Sequence, residues 1–176
     1  MHPCARCAAA QRTCCQRADV LVTNADVARI RAATGREDFV ETRRPADPSY
    51  LEDDPSDPEW NVLVNRPDGT RRLLVRLAGG DCTFLGPMGC TLGEEARPNV
   101  CRLYPFTYDA RTLTGEVPEY CPTAMLLPDG GRMTRLLDMS PTKAERWRAR
   151  LYDELRADRS ASDGAASDQV IPCASD

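Results

Sequence analysis

Pro3-Cys4-Ala5-Arg6-Cys7-Ala8-Ala9-Ala10-Gln11-Arg12-Thr13-Cys14-Cys15 puts four thiols into the opening of the chain, and their reading decides the fold. Thiolate sulfur donates charge well to zinc and iron, and a Cys-x-x-Cys step lets two sulfurs approach one ion from a single tight turn. Cys14 and Cys15 are neighbours. Their Cα atoms, ~3.8 Å apart, lie below the ~4.4–6.8 Å window of an unstrained disulfide. A metal or cluster is the simpler account of both pairs.

Working outward, Cys82, Cys90, Cys101 and Cys121 form a second group separated by turn residues, and Cys173 stands apart from both. The expected metal ligands are therefore Cys4, Cys7, Cys14, Cys15, Cys82, Cys90, Cys101 and Cys121. Cys173 is not expected to be one. The single histidine, His2, is read as a frayed terminus, which leaves no basis for Cys2His2 sites or a histidine-dependent hydrolytic triad. Eight thiols favour all-sulfur coordination, either as two Cys4 sites or as one cluster with some thiols left over. The spacing does not choose between these.

The composition agrees with a metal-stapled chain. Leu, Val, Phe and Ile supply 31 of 176 residues, about 18%, below the ~20% at which a conventional apolar core becomes doubtful. A formal charge of −4 is too small to read the chain as disordered, and the residue type in excess is Cys, at nine. A structural zinc site contributes roughly 10–16 kcal/mol of apparent binding free energy, against a net domain stability of ~5–15 kcal/mol. Metal can therefore decide whether so thin a core folds.

The length suits one domain over residues 1–158 with a small, polar, disordered tail over 159–176, and excludes a doubly wound enzyme with a separate substrate domain. Arg outnumbers Lys by 22 to 1, but the cations are interspersed with Asp and Glu. No nucleic-acid partner is expected, because such binding needs clustered cations. Arg6, Arg12, Arg97 and Arg102 lie close to cysteines in the chain, where they can offset the formal dianion of a zinc-Cys4 unit. No basic-then-apolar leader and no ~18-residue apolar run are present, so a cytoplasmic location without membrane insertion is expected. There, cysteines serve more often as ligands or catalytic thiols than as disulfides.

Local signals predict an α+β fold, small and loop-rich, with short helices, a β-hairpin and a C-terminal helix. Thr23 caps a helix with Asp26 three residues on, Val27 and Ile30 share its buried face, and Gly35 ends it. Residues 43–59, dense in Pro, Asp and Glu, read as an acidic surface loop. Trp60–Val64 and Arg72–Leu77 read as two strands joined through Pro67-Asp68-Gly69. Ser140-Pro141 opens a helix over 141–157 whose Ala144, Trp147, Leu151 and Leu155 lie on one face. Pro98 starts a helical turn carrying Cys101, shielded by Tyr104, Pro105 and Phe106.

Taken together, Cys4-Ala-Arg-Cys7 with Cys14-Cys15, Asp81-Cys82-Thr-Phe84-Leu85, Gly89-Cys90 and Arg97-Pro98-Asn-Val-Cys101-Arg102-Leu-Tyr104-Pro105-Phe106, then Cys121-Pro122, resemble the YkgJ-like cysteine-cluster family. The resemblance covers residues 4–122 and implies chelation of zinc or iron, the latter including an iron–sulfur cluster. The module also resembles one in flagellin lysine methylases, which implies methylase-like S-adenosylmethionine chemistry as an alternative. No Gly-rich strand-to-helix fingerprint accompanies it here, since Gly79-Gly80 runs into Asp81-Cys82.

Three functions follow as expectations. The first is a metal-binding protein. The second is an iron–sulfur-dependent enzyme or subunit that modifies a protein partner, which needs an open metal position and a cleft. The third is a zinc-stapled interaction module using the acidic loop.

Overall fold

The capping signals around Thr23 form as the sequence predicts. In the computed structural model, which describes residues 3–10, 14–116 and 123–167 (backbone only for 123 and 165–167), helix α3 runs over Asn24–Thr34. Thr23 Oγ1 accepts from the Asp26 amide at 2.9 Å, and the Thr23 amide donates to Asp26 Oδ2 at 3.1 Å. Gly35 closes the helix at φ 67°, a left-handed geometry that lets its amide reach Arg31 O at 2.8 Å. Val27 and Ile30 are buried on its inner face. His2, Arg12, Cys121 and Cys173 lie outside the described residues.

Before α3 come α1 (Pro3–Ala9) and α2 (Cys14–Arg17). After it come β1 (Val40–Arg43), α4 (Trp60–Val64), β2 (Arg71–Leu74), β3 (Leu85–Gly86), β4 (Gly89–Cys90), α5 (Asn99–Leu103), β5 (Phe106–Tyr108), β6 (Leu113–Glu116), α6 (Thr123–Leu126), α7 (Met133–Leu136) and α8 (Pro141–Ser167). Three two-stranded antiparallel pairs, β1–β2, β3–β4 and β5–β6, are set among the helices. The fold is α+β. No helix among the described residues is long and apolar enough to cross a membrane.

The hairpin expected from Trp60–Val64 and Arg72–Leu77 is not the one that forms. Trp60–Val64 is the helix α4, and β2 pairs instead with β1, Val40 opposite Leu74 and Arg43 opposite Arg71. Strand geometry would put Trp60, Val62 and Val64 on one face. Here Trp60, Leu63 and Val64 share a face and pack toward α8, while Val62 is 57% exposed. The helical period wins because α8 offers that face something to bury against. The hairpin motif appears elsewhere, in β3–β4 and β5–β6.

Two further expectations are corrected. Helix α8 begins at Pro141, with Ser140 Oγ accepting from the Lys143 amide, but continues to Ser167 rather than ending at 157. Adding residues to a helix already nucleated and packed costs little, and an Arg159–Asp163 pair one turn apart supports the extension. In the acidic loop, Asp57 is not solvated. It is 6% exposed and accepts the Tyr152 hydroxyl.

The core has two main clusters. Val22, Val27, Ile30, Phe39, Leu74 and Phe84 pack around α3 and the β1–β2 pair, with Cys15, Cys82, Cys90 and Cys101 along their border. Leu103, Ala144, Trp147, Leu151 and Leu155 join α5 to α8, as the periodicity of α8 predicts.

A buried polar joint ties these clusters together. Asp26 Oδ1 accepts from the Asn99 amide at the start of α5, at 3.1 Å. Glu154 of α8 accepts from Thr23 Oγ1 at 2.6 Å, Arg29 at 2.7 Å and Asn99 Nδ2 at 2.9 Å. The capping box that starts α3 thus also fixes the helix that carries Cys101.

Candidate metal centre

Four chain segments bring cysteines to one border of the core. Cys15, in the first turn of α2, is stitched to the later group through its carbonyl, which accepts from the Cys82 amide at 2.9 Å. Arg76 reinforces this seam by donating to Gln16 O at 2.6 Å. Cys90 lies on β4 opposite Leu85, and Cys101 sits on α5, its amide on Pro98 O at 3.0 Å. Pro98 caps α5 as the sequence predicts.

Burial and the neighbouring thiols set the electrostatics of the group. A hydrogen bond with Cys14, then burial, then the Cys14 charge push the Cys15 thiol far above its ordinary range, while Arg97 pulls it back. Burial drives Cys82 up to about 12, with Cys15 and Cys90 adding to the rise. Burial also raises Cys90, opposed by the Leu92 amide and by Arg97. Cys101 is pushed well above its usual value by burial and then by the charges of Cys15, Cys90 and Cys82. Each thiolate disfavours the others, so the group stays protonated unless a cation supplies compensating charge. Metal coordination reverses this balance, because a coordinated thiol deprotonates.

Of the arginines expected near sulfur, Arg97 is in place. Its charge acts on Cys90 and Cys15, and its Nε donates to Leu92 O at 3.1 Å. Arg102 is not. It donates to Arg97 O at 2.8 Å, and its guanidinium carbon lies 4.1 Å from the centroid of the Trp147 ring. Arg6 donates to the carbonyls of Met125 and Leu126.

The two thiols of the Cys4–Cys7 step have different surroundings. Cys4 lies against Gly89, one residue from Cys90, so α1 is docked on β4. Cys7 is buried with Leu126 and Met133. Of the eight expected ligands, Cys14, Cys15, Cys82, Cys90 and Cys101 are gathered at one border, Cys4 adjoins it, Cys7 packs toward α6 and α7, and Cys121 lies outside the described residues. Among the described residues, no three His, Cys, Asp or Glu side chains are arranged to hold a metal ion as they stand.

A cavity of about 250 Å³ adjoins the cluster, bordered by Cys14, Cys15 and Cys101 and walled by Tyr50, Trp60, Tyr104 and Tyr108. Tyr104 lines this cavity, while Phe106 packs with the α8 cluster. The sequence analysis did not identify the wall residues Tyr50, Trp60 and Tyr108. They lie on separate elements and carry no local signal of meeting. Burial, then the Cys101 charge, push the Tyr108 phenol above its ordinary range.

Comparison with known proteins gives one family match. The model of the CxxCxxCC family, described as "Putative zinc- or iron-chelating domain", covers residues 3–122. Its name gives a two-residue gap before the paired cysteines, where this chain has six, so the chain is longer by four residues between Cys7 and Cys14. No curated protein and no solved structure matches the chain.

Proposed function

The chain belongs to the CxxCxxCC family of zinc- or iron-chelating domains, and on that premise we propose that it binds zinc or iron through its cysteines. Cys15, Cys82, Cys90 and Cys101 form the principal ligand set, with Cys14 beside them and Cys4, Cys7 and Cys121 completing the eight. The observation that carries this reading is the convergence of Cys15, Cys82, Cys90 and Cys101 from four segments onto one border of the core. Sulfur donors in that number suit zinc or an iron–sulfur cluster and do not suit magnesium or calcium. The bound ion would supply the positive charge that lets neighbouring thiols ionise together, and Arg97 would stabilise the sulfur-borne charge from outside the ligand set.

The adjoining cavity favours a second reading, in which the centre belongs to an enzyme or enzyme subunit acting on a protein partner. A closed zinc-Cys4 staple has no need of a chamber at its side, whereas catalysis requires an approachable position.

Anaerobic purification with metal analysis and a visible spectrum tests both. Iron with acid-labile sulfide and broad absorption near ~400 nm identifies a cluster; colourless protein with stoichiometric zinc identifies the staple. Cys15→Ala and Cys101→Ala are expected to lose metal, and Cys173→Ala to keep it. Full metal retention in the first two variants overturns the ligand assignment.

A further inference from the structure

The cavity beside the cysteines is lined by a buried arginine that forms no ion pair among the described residues; the more distant Asp19 charge and the Tyr50 ring, 5.4 Å from its guanidinium carbon, act on it. Arg71 is only 3% exposed, yet among the described residues no carboxylate lies within ion-pair distance of it. Its Nε donates to Asn65 Oδ1 at 2.9 Å and its Nη2 donates to the Tyr50 carbonyl. Its Nη1 makes no hydrogen bond among the described residues. The other charged residue lining the cavity, Asp19, is already committed to Arg43 at 2.7 Å and to the Ala46 amide at 2.6 Å. A desolvated guanidinium is costly unless an anion meets it, and its planar fork suits a carboxylate.

The rest of the lining says what that anion is attached to. Aromatic walls favour a flat, apolar body, held by ring-on-ring contacts. About 250 Å³ equals roughly eight water volumes at ~30 Å³ each, and falls below the ~300–1,000 Å³ of pockets for drug-sized ligands. That is room for one ring and one carboxylate.

We infer that this cavity binds a small aryl carboxylate, with the carboxylate on Arg71 and the ring between Trp60 and the tyrosine walls. The site does not depend on the metal reading, because none of these contacts involves a metal ion. Bound ligand would border Cys14, Cys15 and Cys101, next to the proposed centre.

Isothermal titration of the full chain with benzoate and with its neutral analogue benzamide tests the inference. Benzoate is expected to bind about tenfold tighter or more, a charge-assisted gain. Arg71→Gln is expected to bring benzoate down to the benzamide level while benzamide binding persists. Ala18→Leu, which adds bulk inside this cavity, is expected to abolish both. Arg71 also lines a larger groove on its other side, which Ala18 does not reach, so unchanged benzoate binding in Ala18→Leu overturns the assignment. So does equal or absent binding of the two ligands by the unmodified chain, a comparison that stands even if Arg71→Gln does not fold. Metal analysis of the same untreated preparation separates the two readings: benzoate binding is expected even where that analysis finds no metal.

Discussion

The joint between α3, α5 and α8 and the border where the cysteines gather are both buried and rich in polar atoms, yet they are held in opposite ways. In the joint, Asp26, Arg29, Asn99 and Glu154 meet oppositely charged or hydrogen-bonding partners from the same chain. At the cysteine border the neighbours are other thiols, and each makes the others harder to ionise. One region draws its partners from its own chain, although Arg29 Nε and Asn99 Oδ1 are buried without one among the described residues. The other, on the proposed reading, would be completed by a bound ion.

Chelation should separate the two regions most strongly. Removing the metal is expected to cost the cysteine border much of the roughly 10 kcal/mol or more that such sites contribute. Hydrogen exchange would then show residues 3–18 and 82–101 losing protection while α3 and α8 keep theirs. Uniform loss across the chain would break the comparison. The reverse experiment is Leu151→Ala, which removes a fully buried side chain from α8. It is expected to cost about 2–5 kcal/mol by denaturant titration while metal stoichiometry in the folded protein is unchanged.

Asp26→Ala sits between these extremes, because Asp26 caps α3 and also receives the Asn99 amide of the helix bearing Cys101. A loss of about 1–3 kcal/mol is expected, accompanied by weaker metal retention in a chelator competition. The smallest effect is a pH dependence. Burial pushes the Glu154 carboxyl up, but hydrogen bonds from Arg29, Thr23 and Arg150 and the Arg29 charge outweigh it and leave its pKa below the ordinary value. A carboxyl depressed in the folded state stabilises above its unfolded pKa, near ~4.3, and loses that contribution as pH falls through the folded value. Glu154→Gln should therefore be less stable than the parent at pH 7, with the gap closing under acid titration. A gap that widens toward low pH would contradict this.

The joint and its helices were legible in part. Thr23, Asp26 and Gly35, and later Ser140 and Pro141, announce helix ends through contacts only a few residues long, which a sequence displays directly. That Asp26 also reaches Asn99 was not legible, since the partner is 73 residues away. Trp60–Val64 misled because Val-rich stretches suit both periods, and only the presence of α8 settles which one is used. The strand β1, Val40-Glu41-Thr42-Arg43, has too little apolar alternation to stand out before β2 pairs with it. At the cysteine border, the excess of cysteine was plain from composition. The surroundings were not, because Arg71 and the aromatic walls come from elements that meet only in three dimensions.

Gly89 carries a consequence for how the first helix is retained. With φ at 93° and a hypothetical Cβ only 2.9 Å from that of Cys4, the position tolerates no side chain while α1 stays docked. The absence of one methyl group acts as a keyhole through which the leading helix seats itself. A lineage that lost this glycine would keep all its sulfurs in sequence and still present Cys4 and Cys7 on an unlatched arm.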